Sequence, residues 1–241
     1  MLNAIGAGQL MCDVSPSMIH ALPGMGSDRR MYPGKWKSLP EFAPHDWMPH
    51  RGEHSLAEVA HSMCDSCSIR DGYVLVGTSL GGMVACEITK IRKIPVLYLV
   101  ASAVTKDELN PLLGALRPLI RVTPIEWIKF SAGTIPLERA QMFLSVEASF
   151  IRSMCAAVFE WEGLGVTTTR VFRIHGKGDH MIPPPKKVDL LLDGGHLLTM
   201  THADECAEFV RANPQSGADW RQPSSADANP GSTAAASRRS P

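Results

Sequence analysis

The five residues Gly77-Thr78-Ser79-Leu80-Gly81 constrain this chain more than any other stretch. Before them, Tyr73 to Val76 is a short apolar run with the character of a buried parallel strand. After them, Met83, Val84, Cys86, Glu87 and Ile88 continue as a helix. A chain that leaves a strand and enters a helix at once must turn so sharply that the corner residue takes a strained backbone. The glycines two before and two after it relieve the crowding where strand and helix cross. Ser79 is that corner residue, and its hydroxyl is expected to project above the sheet as a nucleophile.

Further apolar runs alternate with helical spacing along the chain. The strand candidates are Met18 to Ala21, Trp47 and Met48, Tyr73 to Val76, Val96 to Val100, Val171 to Ile174, and Val188 to Leu192. This alternation predicts an α/β fold, with a mostly parallel sheet of about six strands and helices on both faces. The long gap between the fourth and fifth strands, about 106–165, lacks a strand pattern. It repeats helical spacing instead, first through Leu109, Leu112, Leu113, Leu116, Leu119 and Ile120, then through Phe150, Met154, Ala157, Val158 and Trp161. Pro111, Pro118, Pro124 and Pro136 must keep those helices short or kinked, so the insertion is expected to form a small helical cap. A last helix carries Ala203, Cys206, Phe209 and Val210. Residues 214–241 are then too poor in large apolar groups to offset the entropy of ordering, which predicts a disordered tail after a single domain over 1–213.

Lysine plus arginine equals aspartate plus glutamate, 24 each, so no basic field attracts nucleic acid or an anionic membrane. No stretch approaches the roughly 20 apolar residues of a membrane span. No lysine or arginine precedes Arg29 and no continuous apolar segment follows, unlike a secretory signal. A soluble, cytoplasmic protein is the expectation. The six cysteines are scattered, as a reducing compartment allows. Cys64 and Cys67 form a C-x-x-C one turn after His61. They lie on a helix whose apolar face is Leu56, Val59, Ala60, Met63 and Cys67, and whose start is a Ser55/Glu58 capping box. No second cysteine pair or paired histidine completes a metal site, so these thiols read as core and no metal is expected.

A serine hydroxyl is a weak nucleophile until a base removes its proton and a third group orients that base. His196 fits the base best, because it follows Gly194-Gly195 just beyond the last strand, on the side of the sheet where strands end and ligands gather. His20, His175, His180 and His202 compete with it from less suitable places. Asp179, in His175-Gly176-Lys177-Gly178-Asp179 past the fifth strand, is the carboxylate that gives the order serine, acid, histidine. The alternative acid position after the fourth strand holds Ala101-Ser102-Ala103, with Asp107 several residues on. Two backbone donors are needed for a developing oxyanion. They are assigned to the N–H of Leu80 and to that of Met25 in the loop Pro23-Gly24-Met25-Gly26-Ser27-Asp28, with Gly26 the next choice.

The Gly24-Met25-Gly26 loop, the Ser79 turn, His175 to Asp179, and Gly194-Gly195-His196 together resemble a small α/β-hydrolase of the serine-esterase type with a helical cap, over about Met18 to Asn213. The resemblance implies a Ser79-His196-Asp179 triad and hydrolysis through an acyl-enzyme without a cofactor. Its substrate would be a small carboxylic ester. The same groups could serve a thioesterase, amidase, carbon-carbon hydrolase or lyase, and a noncatalytic binding homologue is the rival from another class. Trp127, Phe130, Met142, Phe143 and Trp161 are candidates to line an apolar acyl pocket. Two departures from the family are expected. The first strand starts too early for the two strands that usually precede it, and only 16 residues (180 to 195) separate Asp179 from His196, so the usual helix there is shortened or absent.

Overall fold

Six strands form one sheet in the order β2-β1-β3-β4-β5-β6, and every neighbouring pair runs parallel. The structure, a computed structural model, describes residues 18–111 and 146–213. In chain order its elements are β1 (Ile19–Leu22), β2 (Phe42–Pro44), α1 (Leu56–Ser66), β3 (Val74–Thr78), α2 (Leu80–Ile91), β4 (Val96–Val100), α3 (Ala148–Glu160), β5 (Arg170–Gly176), β6 (Leu190–Leu192), α4 (Leu198–Thr201) and α5 (Ala203–Ala212). Single 3-10 turns lie at Arg29–Met31, Gly34–Ser38 and Lys106–Glu108.

The central strands β3 and β4 are buried along their whole length, which is why they read as unbroken apolar runs. Their side chains still alternate between two cores. Leu75, Leu97 and Leu99 pack with α1, α2 and α3 on one face. Val76, Val96, Tyr98 and Val100 pack on the other with Met31, Trp36, Leu198 and Val210. Helix α1 begins on the expected cap: Ser55 Oγ accepts from Glu58 N at 3.2 Å, while the Glu58 carboxylate reaches back one residue beyond the cap and accepts from His54 N at 2.7 Å.

The second strand differs from the sequence expectation. It is Phe42–Pro44, paired with Ile19 to Ala21, whereas Trp47 and Met48 lie in the following loop. Pro44 hides the strand from sequence reasoning because it cannot donate to a ladder, and an edge strand is where that loss is tolerated. No helix occurs between Asp179 and His196, as the short spacing predicts, and Leu191 on the edge strand β6 is 46% exposed.

The two ends of the long insertion are tied to each other. Leu164 N donates to Val104 O at 2.8 Å, and Gly163 (φ +98°) passes so close that a Cβ there would lie 2.6 Å from the same oxygen. Helix α3 realises the Phe150-to-Trp161 spacing and packs beside α1. The earlier leucine pattern from Leu112, and residues 214–241, lie outside the described residues.

The strand order reverses direction between β1 and β3. In an open parallel sheet such a switch point opens a crevice at the carboxyl ends of the two strands. The loop carrying Met25 leaves β1 there, and Ser79 leaves β3 beside it.

Candidate active site

Ser79 has φ +52° and ψ −120°, a backbone that non-glycine residues rarely adopt and that costs on the order of 1–3 kcal/mol unless its surroundings impose it. Here they do. Ser79 N donates to Val100 O at 3.0 Å, while Ser79 O accepts from Gly82 N at 3.0 Å and from Ser102 Oγ at 2.7 Å. The crossing of strand and helix leaves no room for side chains. A Cβ on Gly77 would sit 2.4 Å from Gly82 Cα, and one on Gly81 would sit 2.4 Å from the carbonyl oxygens of both Leu22 and Pro23.

The loops after β5 and β6 meet across a similar gap. Gly178 N donates to Gly194 O at 2.9 Å, and a Cβ on Gly176 would lie 2.3 Å from that oxygen. This contact brings Asp179 and His196 together, both under 10% exposed. Asp179 Oδ1 accepts from Met181 N (2.9 Å) and Ile182 N (3.0 Å), which locks the carboxylate, and Oδ2 lies 2.8 Å from His196 Nδ1. The turn role and the histidine contact therefore coexist on one side chain. A carboxylate only accepts, so Nδ1 is the donor, and Nε2 is left as the acceptor for the Ser79 hydroxyl 2.9 Å away. An imidazole so placed can take the serine proton.

The other expected positions fall as follows. Leu80 is the first residue of α2, where an α-helix leaves its N–H without an intrahelical partner. Met25 stands in the turn after β1, whose Gly24 lies against the nucleophile: a Cβ there would be 3.6 Å from Ser79 Cβ. Asp107 is exposed in the 3-10 turn Lys106–Glu108. Trp161 belongs to the core under the sheet, 5% exposed, with its indole N–H given to Glu87 Oε1 at 2.6 Å. Trp127, Phe130, Met142 and Phe143 lie outside the described residues.

Two supporting features escape sequence reasoning. Ser102, in the Ala-Ser-Ala after β4, is fully buried and braces the Ser79 carbonyl; its only sequence signal is its small size opposite Gly82. Arg173, inside β5, makes two 2.7 Å bonds to Glu108 and a 2.9 Å bond to Ser102 O, pinning the first turn of the insertion to the sheet. Beside it His175 is fully buried, and burial together with Arg173 holds its pKa down at about 4, so it is neutral near pH 7. Burial likewise pushes the Cys155 and Cys67 thiols up to about 11, away from thiolate chemistry. Among the described residues no group of histidine, cysteine and carboxylate side chains could hold a metal ion, and no helix is long and apolar enough to cross a membrane.

The sequence matches the alpha/beta hydrolase family over residues 17–209. The chain belongs to that family. Solved structures similar to this hydrolase include an N-acyl homoserine lactonase complexed with N-butanoyl homoserine (TM-score 0.65, 12% identity, 83% of this chain and 89% of that one). A thermophilic esterase from Thermogutta terrifontis has a TM-score of 0.61 and 16% identity, over 82% of this chain and 90% of that one. An esterase from Exiguobacterium antarcticum has a TM-score of 0.64 and 14% identity, over 82% and 91%. At these identities the likeness is one of fold. A search of curated proteins finds no match to the hydrolase.

Proposed function

We propose that this hydrolase cleaves a small carboxylic ester through a Ser79-His196-Asp179 triad and an acyl-enzyme. The observation that carries the reading is the continuous path from Ser79 Oγ to His196 Nε2 (2.9 Å) and from His196 Nδ1 to Asp179 Oδ2 (2.8 Å), set on a strained elbow. His196 takes the hydroxyl proton as Ser79 Oγ bonds to the ester carbonyl carbon. The N–H groups of Leu80 and Met25 receive the charge that moves onto the carbonyl oxygen. Asp179 holds the imidazole and stabilises its positive charge. Collapse of the intermediate expels the alcohol, which leaves with the proton from His196. Water then enters, gives a proton to His196 as its oxygen bonds to the acyl carbon, and collapse breaks the bond to Ser79 Oγ, which takes the proton back from His196 as the acid is released.

Of the insertion at about 106–165, α3 and Trp161 belong to the core against the sheet; the proposed cap is the stretch before α3, and Trp127, Phe130, Met142 and Phe143 within it remain proposed lining for the acyl group. The free cysteines among the described residues suit a cytoplasmic setting. Esterase and lactonase relatives of the fold favour an ester over other acyl compounds, since a lactone is a cyclic ester.

The test pairs fluorophosphonate labelling with turnover of a panel of acyl esters and thioesters. Wild type should label at Ser79 and hydrolyse an ester. Ser79→Ala and His196→Ala should each lose roughly 10³-fold or more in turnover while staying folded, without adding in the double variant, and Asp179→Asn should approach them. A folded wild type that neither labels nor turns over any ester would make it a binding homologue.

A further inference from the structure

The oxyanion donor on the loop after β1 is the N–H of Met25, in the reading above on which this inference rests. That N–H shares one peptide unit with the carbonyl of Gly24. In a planar trans peptide the two point in opposite directions, so whatever holds the Gly24 oxygen aims the Met25 N–H.

Three donors converge on that oxygen. Ser27 gives its backbone N–H (3.2 Å) and its hydroxyl (2.8 Å), and Trp47 Nε1–H reaches it at 3.0 Å from the loop after β2. A carbonyl has two lone pairs, which Ser27 alone would satisfy. The tryptophan is therefore surplus to satisfying the carbonyl, and its bond acts on orientation. The preceding peptide is held as well, because Gly24 N donates to Met31 Sδ at 3.0 Å, which takes the Gly24 N–H out of consideration as an oxyanion donor. Trp47 is itself held from behind: its ring centroid is 5.1 Å from that of Phe150 on α3, and Phe150 is 3% exposed.

The geometry points to Trp47 as a positioning residue for the oxyanion hole, fixing the plane of the Gly24–Met25 peptide. It touches no reacting atom. A donor aimed in advance stabilises charge without reorganising during the reaction, so loosening the peptide plane weakens binding of the tetrahedral state and leaves binding of the ester ground state alone.

Trp47→Phe deletes the N–H and keeps an aromatic ring against Phe150; Ser27→Ala deletes the other side-chain donor and provides an independent variant should the first not fold. Active sites are titrated with a fluorophosphonate, and kcat is expressed per titrated serine. Removing an oxyanion donor outright costs roughly 10²–10³-fold, so loosening one should lower kcat about tenfold in either variant with KM within about twofold. An alkyl trifluoromethyl ketone, which Ser79 converts to an oxyanion adduct, should weaken by the same factor. The matching secondary alcohol, which has no carbonyl to attack, should bind as before. Wild-type kcat per titrated serine in the folded variants, or equal weakening of ketone and alcohol, overturns the role of Trp47. Ser79→Ala is run alongside: if it retains turnover, the serine-hydrolase reading itself fails, whereas an inactive Ser79→Ala with an unaffected Trp47→Phe removes this inference alone.

Discussion

Lowering the pH from 7 to 5 should cost this fold on the order of 4 kcal/mol through two buried histidines. His20 is 2% exposed within β1, stacked on the rings of His45 and Tyr73, and its Nδ1 is 2.7 Å from His45 Nε2. Burial, with His45 second, lowers its pKa from 6.5 to about 4. His175 is fully buried beside Arg173 and is lowered to the same value, burial again being the main cause. In the unfolded chain both take up a proton as the pH falls below 6.5, while in the native protein they refuse it until about pH 4. Between those values the unfolded state binds more protons, so stability is greatest above the window and is lost as the pH falls through it. By pH 5 the loss is about 2 kcal/mol for each histidine, with a slope of about 1.4 kcal/mol per pH unit per site. His45, lowered by burial as well, titrates with His20 and is counted within that pair. Urea unfolding followed by tryptophan fluorescence at pH 5, 6, 7 and 8, at constant ionic strength, measures the difference. His20→Phe keeps the ring stack and removes one site, so its loss between pH 7 and 5 should be about half that of wild type. A wild type that loses less than about 1 kcal/mol over this range, or a His20→Phe variant with an unchanged slope, would refute the reasoning.

Two further predictions concern the scaffold around Ser79. A Cβ on Gly82 would lie 2.3 Å from Ser102 Oγ and 2.6 Å from Ser102 Cβ, so Gly82→Ala should destabilise by about 2 kcal/mol, and adding Ser102→Gly should restore most of it in thermal melts. Arg173→Met leaves Glu108 without its ionic partner and should cost about 3 kcal/mol in urea unfolding. Removing both charges with Arg173→Met/Glu108→Leu should cost less than the single change, and a double variant no more stable than the single would show that the ion pair is not the source.

What the sequence determined on its own was local or periodic. Five of the six strands lie where largely apolar runs of strand length occur, and the run is unbroken in β3 and β4, which are buried on both faces and need continuous apolar side chains. The Ser55/Glu58 cap and the Ser79 elbow were legible because a backbone turn demands particular residues within a few positions. Ser79, Asp179 and His196 were legible through chain order and glycine-rich approaches, and the fold brings them within hydrogen-bond distance. Tertiary structure decided whatever depends on partners remote in sequence. The edge strand at Phe42–Pro44 is defined by pairing with β1, against the preference of its own proline. Ser102 and Arg173 are an ordinary serine and arginine until β4 lies between β3 and β5, which places Ser102 under the Ser79 carbonyl and Arg173 on Glu108. Trp47 reaches Gly24, 23 residues away, because β2 pairs in parallel beside β1 and so puts the loops after the two strands together. Periodicity carries no signal for such contacts, because a single hydrogen bond between distant residues leaves no repeating pattern in either segment.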